Sequence, residues 1–128
     1  VVLNEEAGST AASALKMTYA GWTKASSALL LNVRAAARAL GVEEALLEEW
    51  DLSQPGLSDR SEGAAKANAF KAWRFVGEMH EIGDTLAGAG LPDGFHRGAA
   101  DLWERLEAFK DQMDAAPSDV FETLKNPR

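Results

Sequence analysis

The chain has 128 residues and a mass of 13.7 kDa, which is the size of one domain. Hydrophobic residues make up 46% and charged residues 26%, so the composition excludes a disordered chain and a membrane protein. A net charge of −7 repels phosphate backbones, so we expect no nucleic-acid partner. The absence of cysteine excludes disulfides, thiol nucleophiles and thiolate metal sites, and it is compatible with the cytoplasm, where we expect the protein to act.

The first predicted element is a long helix. Ser9 and Thr10 can cap it, no proline occurs between Ala11 and about Leu40, and Gly41 offers a C-terminal stop. The helix is rich in alanine, glycine and serine, which let neighbouring backbones approach closely. We therefore expect other helices to cross it on more than one side, although the high helix propensity of alanine explains part of this composition.

Five further helical segments follow, separated by Gly, Pro and Asp. We expect them at about Val42–Asp51, Leu57–Asn68, Lys71–Ala89, Gly94–Met113 and Pro117–Leu124. Two of them carry apolar residues at intervals of three and four, the period of an amphipathic helix: Phe75, Met79, Ile82 and Leu86, then Ala99, Leu102, Leu106 and Phe109. Without a strand pattern, the sequence predicts an all-α fold, a single packed domain over residues 1–128.

The common catalytic and metal-binding motifs do not occur in this chain. It has no G-x-G-x-x-G turn, no P-loop lysine and no H-E-x-x-H. His80 and Asp84 lie one turn apart, but two ligands without a third do not predict a metal site. His96 is more typical of packing or capping at the start of a helix, where Asp93 is a further candidate cap.

Lys16 is the remaining candidate for chemistry, near the start of the long helix. Its neighbours are weakly polar, so its amine either extends into solvent or is held where a charge is useful. Helical spacing alone favours the solvated alternative, since helical lysines are usually exposed.

Three segments, which occur in the expected order, resemble one known domain: Ala14–Lys24, Lys71–Met79 and Gly90–His96. It is the helical C-terminal domain of NAD(P)-dependent oxidoreductases similar to 6-phosphogluconate dehydrogenase and the β-hydroxyacid dehydrogenases. The resemblance covers nearly the whole chain. It implies a helical bundle with one long N-terminal helix, which closes over a small hydroxy acid or alcohol as substrate.

The resemblance also implies roles for single residues. In the superfamily a lysine on the long helix is the general acid/base at the substrate hydroxyl, within a pattern of the type G-x-G-x-x-x-K-x-x-N-N, and Lys16 lies at its position. Tyr19 and Thr23 lie about one and two turns beyond it on the same helix side, where either could bind substrate. NAD or NADP would be held by an N-terminal Rossmann domain that this chain lacks. The given sequence begins with Val1-Val2-Leu3 and has no initiator methionine, as we expect of a piece of a longer protein.

The chain departs from the family pattern at several positions. Thr10 and Ala12 stand at the two glycine positions, and Tyr19-Ala20 stand at the asparagine pair. A second family motif, Lys-Asp-Leu, corresponds to Gly77-Glu78-Met79, so its lysine is absent. These departures leave the substrate class open.

A second interpretation is a non-catalytic helical module for interaction or dimerisation, in which Lys16 is only a surface charge. We expect a homodimer that uses the long helix or its neighbours, because the apolar surface exceeds what one small core needs. That surface includes the four tryptophans, Trp22, Trp50, Trp73 and Trp103. The alternative is that all four tryptophans lie in the core of a monomer.

Overall fold

Helices account for all regular structure in the computed structural model, which describes residues 8–126 and their side chains from Thr10 onward. The six α-helices are α1 (Gly8–Ala39), α2 (Glu43–Ser53), α3 (Leu57–Asn68), α4 (Phe75–Gly88), α5 (Gly94–Glu104) and α6 (Pro117–Lys125). Two 3-10 helices lie at Ala69–Arg74 and Glu107–Phe109. The predicted all-α fold is confirmed for these residues. None of their helices has both the length and the apolar character needed to cross a bilayer.

The long helix α1 is the element on which the others pack. Its 32 residues extend over roughly 48 Å, and α3, α4, α5 and α6 all contact it, as its many small residues predicted. It ends where Gly41 adopts a left-handed backbone, with φ of +75°. At its other end Ser9 and Thr10 lie inside the helix, so the prediction that they cap a helix from Ala11 is wrong.

The first turns of α1 contribute little to the core. No residue from Thr10 to Ala20 is buried, although Ala11, Met17 and Ala20 are half-buried. The first buried position is Gly21, after which Ala28 and Leu31 enter the core. The N-terminal third of the longest helix therefore lies at the margin of the packed bundle.

Two predicted helices are shorter than their apolar periodicity indicated. The segment from Lys71 begins as a 3-10 helix, and α4 starts only at Phe75. The segment from Gly94 leaves the α-helix after Glu104, where the amide of Leu106 donates to the carbonyl of Trp103, three residues back. Buried side chains at intervals of three and four suit an α-helix and a 3-10 helix alike, so the pattern alone did not locate these ends.

The apolar stripes of α4 and α5 meet in the core. Phe75, Met79 and Ile82 are buried, and so are Leu102 and Leu106 on the other side. Their contact is completed by an edge-to-face pair between the Phe75 and Trp103 rings, with centroids 5.3 Å apart. The predicted stripes are thus confirmed.

The four tryptophans have different environments. Trp103 is fully buried, Trp50 is half-buried, and Trp22 and Trp73 are exposed, at 68% and 40%. The expectation that Trp103 is exposed is therefore wrong, because α5 directs its side chain into the core. The alternative that all four tryptophans are buried is wrong as well.

A buried guanidinium joins four helices around the C-terminal half of α1. Arg34 donates to the Ser61 hydroxyl of α3 at 2.6 Å and to the Glu43 carboxylate at the start of α2 at 3.1 Å. It also lies 4.4 Å from the centre of the Phe121 ring in α6. Burial by itself would raise the pKa of the Glu43 carboxyl, but hydrogen bonds from Arg38 and Arg34 outweigh it and hold the pKa below its ordinary value.

Candidate functional site

Lys16, Tyr19 and Thr23 lie on one side of α1, as their spacing predicted. Lys16 is exposed, and Tyr19 exposes 69% of its surface. Thr23 is half-buried, and its hydroxyl donates to the carbonyl of Ala20 at 3.4 Å. The structure therefore presents the two larger side chains to the exterior. Their roles at a substrate stay a prediction.

Lys16 is the one charged side chain that the described part of α1 exposes. Lys24 is half-buried and donates to both oxygens of the Glu78 carboxylate at 2.9 Å. Arg34 is buried, and Arg38, whose side chain is 17% exposed, donates to Glu43. The other exposed residues of this helix are uncharged: Thr10, Ala12, Ser13, Ala14, Leu15, Thr18, Tyr19, Trp22, Leu29, Asn32, Val33, Ala36 and Ala39.

Lys24 pairs with the acidic residue of the second motif segment. Glu78 is the middle residue of Gly77-Glu78-Met79, which stands at the position of the family's second motif. The Lys24 amine bonds this carboxylate and lies 4.9 Å from the centre of the Phe75 ring. Glu78 thus has a structural partner that holds α4 against α1.

A groove of about 880 Å³ lies between α1, α4 and α5. Its lining is mostly apolar, and its polar members include Asn32, Thr85 and Arg105. Trp22, Leu29 and Phe95 also line it, and each exposes more than half of its surface. The sequence indicated Trp22 only as part of a dimer surface, and it did not indicate Leu29 or Phe95. The available signal was the seven-residue spacing of Trp22 and Leu29 along a helix face without charges.

The groove and Lys16 lie on opposite sides of α1. Lys16, Tyr19 and Thr23 do not line the groove, whereas Gly21 and Ala25 do. Nine residues, or two and a half helical turns, separate Lys16 from Ala25, so their side chains point in opposite directions. A ligand seated in the groove would not reach the Lys16 amine.

His96 closes the groove floor by packing against α1, as its position predicted. Its Nε2 lies 3.2 Å from the Gly21 carbonyl oxygen, so Nε2 carries the proton and donates. Nδ1 is buried without a hydrogen-bond partner among the described residues. A Cβ at position 21 would lie 3.1 Å from Nε2, so any larger residue there would require the ring to shift by a few tenths of an ångström.

Arg97 forms hydrogen bonds with the polar side chains between α4 and α5. It donates to Asp84, to Asp93 and to Nδ1 of His80, and its pKa is raised by the hydrogen bonds to Asp84 and then Asp93. His80 and Asp84 therefore face a cation. Asp93 occupies the N-cap position of α5, as predicted, but its side chain bonds Arg97 at 3.2 Å and makes no capping hydrogen bond. Between residues 8 and 126, no group of three or more His, Asp or Glu side chains could hold a metal ion.

Comparison with known proteins gives one family match. The model of a domain of unknown function, DUF1932, matches residues 37–106, more than half of the chain. The comparison with curated proteins found no match, and neither did the comparison with solved structures.

Proposed function

Because the chain belongs to the DUF1932 family, we propose that it is the substrate-binding and dimerisation domain of an NAD(P)-dependent oxidoreductase. Domains of this family occur in the C-terminal region of proteins like 6-phosphogluconate and hydroxyacid dehydrogenases. Its substrate would be a small hydroxy acid or alcohol. Lys16 would relay the proton of the substrate hydroxyl, and Tyr19 and Thr23 would bind the substrate beside it.

The observation that carries this proposal is the isolation of the Lys16 charge on α1. The other three cations of this helix are buried or paired with carboxylates of the same domain. Of the four cations on α1, Lys16 alone is exposed, one helical turn from Tyr19. A surface that closes over this part of α1 would enclose an amine and a hydroxyl together.

Such closure matters for the chemistry of an amine. When a secondary alcohol is oxidised, its hydroxyl proton must leave as the carbonyl forms. An amine can accept that proton only in its neutral form, which exclusion of water favours. Lys16 would take the proton at Nζ, while a hydrogen bond from the Tyr19 hydroxyl holds the substrate oxygen in reach. The Thr23 hydroxyl, whose proton is donated to Ala20, would accept a hydrogen bond from the substrate.

The described residues do not fit a dinucleotide. Residues 8–126 contain helices and no strand, so they offer no strand-to-helix glycine turn for a pyrophosphate. The NAD or NADP of the proposed reaction therefore belongs to another domain, and this chain contributes the proton relay and the substrate contacts.

We expect Lys16→Met in the complete oxidoreductase to lower turnover by at least about 10²–10⁴-fold, the usual contribution of a general acid/base. Dinucleotide binding should stay nearly unchanged, because another domain holds the cofactor. Steady-state kinetics and cofactor titration measure the two effects. Lys66→Met is the matched control, since it removes an exposed lysine from α3.

Tyr19→Phe is the companion variant, since it removes only the hydroxyl. We expect a smaller loss of activity than for Lys16→Met. Wild-type turnover in the Lys16 variant would contradict the proton relay and would favour the second candidate function, a non-catalytic interaction module. The uncharged exposed face of α1 is the observation that supports this second candidate.

A further inference from the structure

A second, smaller cavity of about 290 Å³ lies between α1 and α3. Its lining residues are Ser26, Ser27, Leu30, Arg60, Gly63 and Ala64. Gly63 helps to keep it open, because nothing lies within 4 Å of the place where a Cβ would stand. Arg60 is exposed and Ser27 is half-buried, so the cavity combines an accessible charge with a sheltered hydroxyl. Its volume is close to the lower limit of small-molecule sites, roughly 300 Å³.

Arg60 has no partner for its charge among the described residues. Six other lysine and arginine side chains pair with carboxylates: Lys24, Arg34, Arg38, Arg97, Arg105 and Lys125. Three more lie against aromatic rings: Lys71, Arg74 and Lys110. Of the three described cations that remain, Lys16, Arg60 and Lys66, only Arg60 lines this cavity. The wall of the cavity therefore carries a positive charge that the fold does not neutralise.

The carboxylates nearest to Arg60 in sequence leave α3 in other directions. About 100° of helical rotation separates Asp59 from Arg60, and about 160° separates Glu62 from it. Neither carboxylate lines the cavity, and the described residues that do line it include no acid. The guanidinium is therefore available to an anion that enters from solvent.

Two serine hydroxyls lie on the α1 side of the cavity. Ser26 donates its proton to the carbonyl of Thr23 at 3.3 Å, so this hydroxyl can only accept from a ligand. The Ser27 hydroxyl forms no hydrogen bond with another described residue, so its proton is available. Together, Arg60 and Ser27 offer donors to a ligand that is rich in acceptor oxygens.

We propose that this cavity binds the phosphate group of a small phosphate ester. Arg60 donates two parallel hydrogen bonds to two phosphate oxygens, which match the geometry of its fork, and Ser27 donates to the third oxygen. The volume exceeds what an inorganic phosphate ion fills. The organic part of the ester therefore occupies the rest of the cavity, against the half-buried side chains of Leu30 and Ala64.

The cavity lies on the Lys16 side of α1. Ser27 follows Lys16 by eleven residues, which is three turns and about 20°, and Thr23 lies between them on the same side. Ser27 is thus roughly 16 Å from Lys16 along the helix axis. Two sources supply the same phosphate chemistry: the far end of a substrate that extends along this side of α1, or a separate ester that binds beside the substrate. Only the first source rests on the proposed function.

Titration of the isotope-labelled chain with inorganic phosphate tests the site by NMR. We expect saturable shifts of the Ser27 and Gly63 amide signals, which sodium chloride at equal ionic strength does not produce. Arg60→Gln should weaken phosphate binding by about 10–100-fold, because hydrogen bonds from a charged donor are lost. Arg60→Lys keeps the charge but not the fork, so it should also bind more weakly than the wild type. Ser27→Ala should weaken binding by about 2–10-fold.

Lys66→Gln is the matched control, since it removes an exposed lysine from the same helix but outside the cavity. Its affinity for phosphate should stay within about twofold of the wild type, because an exposed charge outside the site is screened. Equal losses in Lys66→Gln and Arg60→Gln would overturn the site, since phosphate would then respond to surface charge alone. Shifts that do not saturate, or that avoid Ser27 and Gly63, would overturn it as well. Circular dichroism verifies that each variant is folded.

The complete oxidoreductase distinguishes the two sources of phosphate. If the phosphate belongs to the substrate, Arg60→Gln raises KM and leaves kcat nearly unchanged. If it belongs to a separate ester, Arg60→Gln loses phosphate binding while KM stays at the wild-type value. Lys16→Met should lower turnover without changing the phosphate titration of this chain. Failure of the phosphate site and failure of the proton relay are therefore separate results.

Discussion

At Gly21 the absence of a side chain determines how closely His96 approaches α1. The His96 Nε2 lies 3.2 Å from the Gly21 carbonyl oxygen and would lie 3.1 Å from an added Cβ. Alanine at this position would gain helix propensity but would push the ring away from its acceptor. The close approach of His96 to α1 is therefore sensitive to the residue at position 21.

We expect Gly21→Ala to be about 1–2 kcal/mol less stable than Gly63→Ala in the free energy of unfolding. Gly63 lies in the middle of α3 with open space around its Cα, so alanine there should stabilise by up to about 1 kcal/mol. At Gly21 the same gain is opposed by the displaced ring and its lost hydrogen bond. Urea unfolding of both variants measures the difference, and equal values would contradict the close packing.

The sequence could predict the roles of some residues but not the contacts of others. Lys16 could be selected because it stands at a motif position, and its role stays a prediction. The contact of His96 with Gly21 could not be predicted, since 75 residues separate the two partners. The bond from Arg97 to Asp84 likewise depends on how α4 and α5 pack, which the sequence pattern does not specify. The bond from Arg97 to Asp93 joins positions four residues apart at the start of α5, a spacing that the sequence does show.

At the level of elements, Arg34 is the point at which α1, α2, α3 and α6 meet. Its planar guanidinium bonds a hydroxyl and a carboxylate in different directions while its face lies against Phe121. A lysine ammonium is a single point of charge and cannot serve all three partners at once.

Arg34→Lys should therefore lower the free energy of unfolding by about 2–3 kcal/mol, because a buried hydrogen-bonding partner is left unsatisfied. Arg105→Lys is the matched control. Arg105 is exposed immediately after α5 and pairs with Asp101 one turn away, so the change should stay within about 0.5 kcal/mol. Chemical denaturation provides both values, and a similar small loss for both variants would show that Arg34 does not hold the helices together.

Element boundaries were predictable where backbone chemistry marks them. α3 runs over Leu57–Asn68, as predicted, after a left-handed Gly56, and α1 ends before Gly41. The end of α5 at Glu104 has no such marker, and the following turn depends on a contact distant in sequence: the amide of Asp111 donates to the carbonyl of Phe70. A bond of this kind can be located only after the chain has folded.

For the whole molecule, the lowered pKa of Glu43 links stability to acidity. Its pKa in the folded state lies below the ordinary value of 4.5, so the unfolded chain binds the proton more readily. Its contribution is therefore present above pH 4.5 and is lost as the pH falls through the folded pKa.

We expect Glu43→Gln to be about 1–3 kcal/mol less stable than the wild type near neutral pH, since the carboxylate bonds Arg34 and Arg38. The difference should narrow on acidification below pH 4.5, as the wild-type carboxyl also takes up its proton. Thermal unfolding at neutral and acidic pH measures both. A difference that is the same at all pH values would mean that the charge of Glu43 does not stabilise the fold.

The first turns of α1 lie at the margin of the bundle, so selection for stability acts on them less than on the rest of the helix. Between Thr10 and Ala20 no side chain is buried, so mutations there cost the bundle little and the fold exerts only weak purifying pressure on them. Past Gly21, packing alone is enough to keep buried residues such as Ala28 and Leu31 fixed over evolutionary time. Any invariance of Lys16 or Tyr19 between distant homologues would therefore reflect what these residues bind, and this stretch of helix could diverge in specificity while the rest of the domain stayed the same.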